Sequence, residues 1–184
     1  MLKKLSERLS RVERFLAGLC AVLITALIVF NVVTRAMNQA VFWVDEVAIF
    51  VMVWMVFLSM SVLLKERQAV AVSVLVDIFP AHLRRIVGVF IDLIVLAFAL
   101  LLLLFCWQWY APLDLISVGF DLGQFSAKTM NFMYQDRANT LALQRYWVWL
   151  IVPWFGLSVF LHTLVNLLED PRGHHMDKTP EVVS

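Results

Sequence analysis

Residues 42–58, FWVDEVAIFVMVWMVFL, place two adjacent carboxylates, Asp45 and Glu46, at the start of a run that carries no charge until Lys65. The uncharged part of this run is 18 residues long. A helix of about 20 mostly apolar residues crosses a hydrocarbon core about 30 Å thick. This stretch therefore predicts a membrane-spanning helix that begins beside a pair of acidic residues.

The composition of the whole chain agrees with a membrane protein. Of its 184 residues, 62% are hydrophobic and 16% are charged, and the mean hydropathy is +0.83. Soluble domains are only about 45–50% apolar. The formal net charge of +1 provides no basic field for nucleic acid, so we expect the lipid bilayer, and no nucleic acid, to be a partner.

Three further stretches have the length and the low charge of membrane spans. They cover residues 15–34 and 146–168, which carry no charge, and residues 86–113, which carry only Asp92. We therefore predict an all-α integral membrane protein with four transmembrane helices at about residues 15–34, 47–64, 86–112 and 146–168. Residues 1–170 form one membrane domain in this prediction, and residues 171–184 form a flexible cytoplasmic tail.

The first span is expected to be retained, because its 20 uncharged residues exceed the roughly 7–15 of a signal peptide. Lys and Arg are unequally divided between the segments on the two sides of the membrane. Eleven lie in the N-terminal segment, the residue 65–85 connection and the tail, whereas four lie in the other two connections. Since basic residues favour the cytoplasmic side, both termini are predicted to be inside.

The two longer connections have distinct predicted structures. Residues 68–80, QAVAVSVLVDIFP, alternate small and branched apolar side chains, and a strand there would leave its edges unsatisfied in lipid. We predict a short interfacial helix on the cytoplasmic side. The outer connection, residues 114–145, is long and rich in aromatic side chains, so we expect it to rest on the membrane or on a partner.

Asp45 and Glu46 allow two interpretations. Acidic groups in the first turn of a helix interact with its dipole, worth about 0.3–1 kcal/mol each, and Trp43 suits an interfacial aromatic belt. Alternatively, one carboxylate contacts Arg35 or a partner protein. Both interpretations remain open from the sequence.

Two ionisable residues fall within predicted spans. Asp92 would cost about 2.5–3.5 kcal/mol at the bilayer centre on insertion scales, so it either lies near the cytoplasmic headgroups or contacts another helix. His162 is the only histidine well inside a span, whereas a membrane haem ordinarily has two axial ligands. We expect His162 to hydrogen-bond a neighbouring helix or to lie near the inner headgroups.

The sequence shows no pattern for catalysis. It has no nucleophile paired with a base and no glycine-rich phosphate loop, so we predict a non-enzyme with no cofactor and no metal site. Cys20 and Cys106 lie in apolar segments and are expected to be free thiols. In the fourth span, Pro153 is expected to kink the helix or displace a backbone hydrogen bond, and Gly156 is expected to mark a close packing point.

Several short motifs, in this order and within a four-helix arrangement, resemble the small DctQ-like membrane subunit of TRAP transporters. The motifs are Asn31-Val32-Val33-Thr34-Arg35, then Trp43, Asp45, Glu46 and Ala48, then Trp54, Phe57 and Leu58, then Arg67, and finally VPWFG at 152–156. The sequence departs from the usual pattern at Ser59, where a Gly is expected, and at Ala69-Val70, where a His-Ile pair is often found.

The resemblance implies a multi-pass protein of the bacterial inner membrane that binds a large multi-helix subunit as a scaffold. In such transporters the large subunit moves an organic acid, such as a C4-dicarboxylate or sialic acid, together with sodium, and a periplasmic binding protein delivers the solute. The candidates for subunit-interface or structural roles are Arg35, Trp43, Asp45, Glu46, Trp54, Arg67 and Asp92. A stand-alone four-helix transporter or exporter is the main alternative, and a haem-bearing membrane anchor is a weaker one.

Overall fold

The computed structural model of the chain describes residues 1–66 and 80–169. Within these ranges the chain forms helices and an isolated bridge between Arg137 and Gln144. The helices are α1 (Leu2–Ala36), α2 (Trp43–Glu66), α3 (Ala81–Tyr110), α4 (Pro112–Ser117), α5 (Leu122–Thr129), α6 (Tyr146–Trp149) and α7 (Ile151–Glu169).

The predicted all-α fold with four membrane-crossing segments is confirmed. Four helical segments are long and apolar enough to span a bilayer, namely α1, α2, α3 extended through α4, and α6 with α7. The predicted interfacial helix and the predicted flexible tail fall on residues 67–79 and 170–184, which lie outside the described residues.

Helix α7 occupies the centre of the bundle. It packs against α1, α2 and α3, and α1 also packs along α2. Of the residues in the most apolar stretch of each span, half are buried in the α6–α7 span and 6% are buried in α1. Helix α1 is therefore largely peripheral. Because the long helices alternate in direction, Leu2, Glu66, Ala81 and Glu169 lie at one end, which we call the terminal end; the opposite end is the loop end.

Two apolar clusters hold the helices together. One joins Ala17 of α1, Leu58 of α2 and Ile151 of α7. The other joins Ala99 of α3 to Phe155 and Val159 of α7. In lipid, helices associate by close van der Waals packing and interhelical hydrogen bonds, and these clusters supply the close packing.

Pro153 and Gly156 lie near the start of α7, and each has a distinct structural role there. The helix is interrupted at Leu150 and restarts at Ile151, so Pro153 lies in a first turn, where a missing N–H costs little. The expected irregularity is therefore a break before Pro153 instead of a kink in mid-helix. A Cβ added to Gly156 would lie 3.0 Å from Cδ2 of Leu103 on α3, which confirms the predicted close packing point.

Residues 112–145, which we call the loop-end cap, are folded and carry their own small core. Phe125, Met133 and Tyr134 are buried together. The Tyr134 hydroxyl donates to the Tyr110 carbonyl at 2.7 Å, and its ring packs edge-on against those of Phe125 and Tyr146 at centroid distances of 5.2 and 5.1 Å. Phe125 and Tyr134 thus pack against each other and against the ends of α3 and α6, whereas Phe120 and Phe132 of the same connection are exposed.

Helix α5, within the cap, has a well-formed N-terminus. The Asp121 carboxylate accepts hydrogen bonds from the backbone N–H groups of Gly123 and Gln124, at 2.9 and 3.1 Å. A side-chain oxygen at this position satisfies N–H groups that have no partner inside the helix. These donors, first that of Gln124 and then that of Gly123, hold the pKa of Asp121 below its ordinary value.

Candidate functional sites at the two ends of the bundle

At the loop end, Asp45 is held by two residues of α1. The Arg35 guanidinium donates to Asp45 Oδ2 at 2.7 Å and through Nε to Asn31 Oδ1 at 3.0 Å. The Asn31 amide in turn donates to Asp45 Oδ1. Asn31 and Arg35 are four residues apart and share one helix face, so the three side chains close a triangle. The contact between a carboxylate and Arg35 is therefore present in the structure, and a functional role of the pair stays a prediction.

Glu46 has different partners, in the loop-end cap. Its carboxylate accepts from the backbone N–H groups of Asn139 and Thr140, both at 2.7 Å, and from the Thr140 hydroxyl at 2.5 Å. Asn139 and Thr140 form the tip of a hairpin closed by hydrogen bonds from Ala138 N to Leu143 O and from Arg145 N to Asp136 O, at 2.8 and 3.0 Å. One carboxylate of the pair thus joins α1 to α2, and the other joins α2 to the cap.

Further charges surround this hairpin. Arg145 forms an ion pair with Asp136 at 3.3 Å and donates to Asn139 Oδ1 at 2.8 Å. We refer to the whole set as the loop-end charged cluster, and its members are Asn31, Arg35, Asp45, Glu46, Asp136, Asn139, Thr140 and Arg145. The ion pairs are largely exposed and therefore add little stability individually, but together they fix the relative positions of α1, α2 and the cap.

The two tryptophan candidates lie on α2. Trp43 is its first residue and is exposed. The Trp54 indole N–H donates to the backbone carbonyl of Val148 at 2.9 Å, and Val148 lies in α6 just before the interruption at Leu150. Trp54 therefore links α2 to the beginning of the fourth span.

Two candidates remain, Asp92 and Arg67, and only Asp92 lies within the described residues. Asp92 is 6% exposed and precedes Val95 and Ala99 by three and seven residues, which places it on the face of α3 that packs on α7. Its burial supports the interpretation as an interhelix contact. Arg67 lies outside the described residues.

The terminal end contains a buried ionisable pair that is not among the sequence-based candidates. Glu13 of α1 and His162 of α7 are both 0% exposed, and Glu13 Oε2 lies 3.2 Å from His162 Nε2. This contact gives a hydrogen-bonding atom of each buried side chain a partner on the other helix. Burial in the bundle is tolerable for this reason, whereas either partner alone would be costly in its charged form.

Hydroxyl groups extend this pair in both directions. The Ser6 hydroxyl lies 2.7 Å from His162 Nδ1, and the Ser61 hydroxyl donates to Glu13 Oε2 at 3.0 Å. Ser61 also lies 2.8 Å from the Ser158 hydroxyl. The predicted hydrogen bond from His162 to a neighbouring helix is therefore confirmed.

Lys65 and Asn166 complete this arrangement toward the surface. The Lys65 ammonium donates to the backbone carbonyl of Ser6 at 2.9 Å, and the Asn166 amide donates to the carbonyl of Lys65 at 3.1 Å. The connected side chains, which we call the polar ladder, are Ser6, Glu13, Ser61, Lys65, Ser158, His162 and Asn166. They recur at four-residue intervals on α2 and on α7, and they join α1, α2 and α7.

The polar ladder ends at the contact between Ser61 and Ser158. Toward the loop end, the next buried side chains between the same three helices are Ala17, Leu58 and Ile151, which are apolar. Within residues 1–66 and 80–169, the buried polar ladder between α1, α2 and α7 thus stops short of the loop end, where the contacts of Asn31 and Arg35 with Asp45 are exposed.

Glu13 was missed because it adjoins Arg14 and precedes the apolar run, where an acid is ordinarily solvated. The available signal was the spacing of Ser6, Ser10, Glu13 and Ala17, all of which are buried. Spacings of four, three and four residues place them on one face of a helix. Among the described residues, no group of three or more His, Cys, Asp or Glu side chains is arranged to hold a metal ion.

Comparison with known proteins finds one family model and two relatives that match this chain. The family model described as the DctQ component of tripartite ATP-independent periplasmic transporters matches residues 24–173. The chain is 32% identical, over 102 residues, to the C4-dicarboxylate TRAP transporter small permease protein DctQ of Vibrio cholerae, covering 55% of this chain and 44% of that protein. It is 29% identical, over 135 residues, to the isethionate TRAP transporter permease protein DctMQ of Oleidesulfovibrio alaskensis, covering 73% of this chain and 18% of that protein.

The chain therefore matches less than half the length of each of these relatives. No solved structure matches it significantly.

Proposed function

The chain belongs to the DctQ component family of tripartite ATP-independent periplasmic transporters, and we propose that it is the small membrane subunit of a sodium-coupled, binding-protein-dependent importer of an organic acid. The family is a transporter component and not an enzyme. In this proposal the chain lies in the bacterial inner membrane with both termini in the cytoplasm. It acts as a scaffold for a large subunit that moves the solute.

The observation that carries the scaffold role is the polar ladder that ends within the bundle. A transport pathway needs polar groups or water along its length. Between α1, α2 and α7 the polar ladder stops at Ser61 and Ser158 among the described residues, and apolar Leu58 and Ile151 follow in the interior. An interior of this kind suits a helix bundle that supports another protein better than one that conducts a solute itself.

The relatives support the existence of a large partner. The similar region makes up 18% of the permease protein DctMQ, so most of that polypeptide lies beyond the part that this chain resembles. We propose that a separate large subunit supplies the corresponding part here. The relatives carry the names of a C4-dicarboxylate and of isethionate, and both are organic anions, which supports an organic acid as the solute.

The loop-end charged cluster is the proposed meeting place of the subunits and the periplasmic binding protein. Asp45 and Glu46 are both tied to neighbouring segments, by Arg35 in one case and by Thr140 in the other. This bracing gives the exposed cluster a fixed shape, and a fixed arrangement of charges favours specific docking.

Co-expression with the large subunit tests the scaffold role. We expect the chain to co-purify with that subunit, and we expect uptake in proteoliposomes only when both subunits and the binding protein are present. Solute uptake by the chain alone would overturn the proposal.

The double substitution Asp45→Asn and Glu46→Gln tests the loop-end charged cluster. It should lower sodium-coupled uptake or weaken co-purification while leaving membrane insertion intact. Asp114→Asn is the matched control, because Asp114 is an acid of the loop-end cap that lies outside the cluster and pairs with Lys128. If the double variant behaves like this control, the two carboxylates have only a structural role at the start of α2.

A further inference from the structure

A cleft opens at the terminal end between the first turns of α1 and the last turn of α2. Its volume is about 600 Å³. The lining residues are Glu7, Ser10, Arg11, Arg14, Phe15, Lys65 and Glu66. Three of these side chains are cationic and two are anionic.

The three cationic side chains of the cleft differ in their hydrogen-bonding and ion-pair partners. Arg14 forms an ion pair with Glu66 across the two helices, and the Lys65 ammonium donates to the Ser6 carbonyl. Among the described residues, no hydrogen bond or ion pair engages the guanidinium of Arg11. Arg11 thus retains its full set of donors, and a planar guanidinium is well suited to a phosphate oxygen pair.

The position of the cleft along the helices matches the depth of lipid headgroups. Arg14 is the last charged residue before the uncharged run 15–34, and Lys65 is the first after the uncharged run 47–64. The cleft therefore lies where the hydrocarbon core gives way to polar headgroups. Phe15, on its apolar side, is 71% exposed and faces the surroundings of the bundle.

An apolar groove continues along the same face of α1. Its volume is about 730 Å³. Its lining residues are Ala21, Val22, Thr25, Ala26, Val29 and Phe30. The Thr25 hydroxyl donates to the Ala21 carbonyl of its own helix at 2.9 Å, so the groove presents no unsatisfied polar group from this side chain.

Helical spacing places residues of the cleft and of the groove on one face of α1. Arg11, Gly18, Val22, Thr25 and Val29 follow each other at intervals of seven, four, three and four residues, which is one helix face. Gly18 lies between the two, and nothing lies within 4 Å of a Cβ added there. The nearer end of the groove is about 10 Å from Phe15 at 1.5 Å per residue, within the roughly 15 Å that the chains of one leaflet fill.

We propose that this face of α1 binds one anionic phospholipid. The phosphate occupies the cleft beside Arg11 and Arg14, and an acyl chain passes over Gly18 into the groove. The change from cationic to apolar lining, at the depth where a phospholipid makes the same change, is what identifies the occupant. The inference requires only that the helices span a membrane, so it is independent of the proposed role in transport.

The test titrates dioleoyl-phosphatidylglycerol into the purified full chain in mild detergent and counts the one-to-one complex by native mass spectrometry. Arg11→Gln with Arg14→Gln should raise the apparent Kd about fivefold or more, since each basic residue near an anionic headgroup contributes appreciably to binding. Arg8→Gln is the matched control, an exposed arginine of α1 outside the cleft, and it should change the Kd less than about twofold. Circular dichroism checks that each variant keeps its helical content.

Gly18→Leu tests the acyl-chain half of the site. The added side chain has open space and should not disturb the fold, but it should weaken binding of the dioleoyl lipid. Soluble glycerol phosphate should compete poorly, because it lacks the chains that fill the groove.

Four results would overturn the proposal. They are unchanged binding by the Arg11 and Arg14 variant, an equal loss in Arg8→Gln, equal binding of phosphatidylcholine, and equally tight binding of glycerol phosphate, which would indicate a site for free phosphate. Unchanged lipid binding by Gly18→Leu would remove the groove from the site.

Discussion

The Glu13–His162 pair is the residue-scale feature with the largest expected energetic effect. Both side chains are fully buried, and each is hydrogen-bonded to a serine hydroxyl as well as being in contact with the other. Breaking such a pair by removing one partner leaves a buried ionisable group without its counterpart. Neutralising both partners removes that penalty, so the effects of the two substitutions are not additive.

We predict that His162→Ala destabilises the protein by about 3–5 kcal/mol, because it leaves the buried Glu13 carboxyl group without its partner. The double variant Glu13→Gln with His162→Ala should be less destabilised than His162→Ala alone. Thermal unfolding in detergent, monitored by circular dichroism, measures the stability of the single and the double variant.

Glu7→Gln provides the control for this cycle, because Glu7 is an exposed acid of the same helix and should have little effect. Strictly additive effects of the Glu13 and His162 substitutions would show that the two side chains do not act as a pair.

At the element scale, α5 depends on a titratable group at its N-terminus. The backbone donors of Gln124 and Gly123 hold the pKa of Asp121 below its ordinary value. A group with a lowered folded-state pKa contributes its stabilisation above the unfolded-state pKa, and that contribution is lost as the pH falls through the folded-state value.

We therefore predict that α5 opens more readily in acid. Amide hydrogen exchange over residues 122–129, corrected for the intrinsic pH dependence of exchange, should show greater protection at neutral pH than below the ordinary pKa of an aspartate. Asp121→Asn should abolish most of this difference, because asparagine accepts the same hydrogen bonds without titrating. An undiminished pH dependence in Asp121→Asn would assign the effect to another group.

The contact between α3 and α7 is the second feature at this scale. A Cβ at Gly156 would lie 3.0 and 3.1 Å from two atoms of the Leu103 side chain, so a larger residue must displace that side chain at the contact with α3. We predict that Gly156→Leu destabilises the bundle by about 1–3 kcal/mol, as overpacking typically does. The measurement is the shift of the thermal midpoint.

Gly18→Leu is the matched control for Gly156→Leu, since it makes the same change on α1 where the space is open. Equal midpoints for the two variants would contradict a close approach of α3 and α7 at Gly156.

At the scale of the whole molecule, the distribution of basic residues predicts where the two ends of the bundle lie. We expect Gln39→Cys, in a background without Cys20 and Cys106, to react with a membrane-impermeant maleimide added from the periplasmic side. A fluorescent protein fused after Ser184 should fluoresce, as it does only when it folds in the cytoplasm. Labelling of Gln39→Cys from the cytoplasmic side alone, or a dark fusion that is nonetheless produced, would reverse the orientation.

How much of the site was predictable depended on the distance along the chain between partners. Asp45 and Arg35 are ten residues apart across one tight connection, so their contact was among the sequence-based interpretations. Glu46 binds Thr140, which is 94 residues away, and nothing in the local sequence identifies that partner. His162 was expected to bond a neighbouring helix, but its partner Glu13 is 149 residues away.

The sequence by itself determined the fold class and the number of helices long and apolar enough to span a membrane. These follow from hydrophobicity and charge accumulated over 18 to 28 consecutive residues, because the bilayer requires long apolar helices regardless of what surrounds them. The tertiary structure alone decided which helix lies at the centre, which acid is buried and how the cap joins α2. Those features depend on single side chains meeting across helices, and hydrogen bonds and close packing act only over a few ångströms.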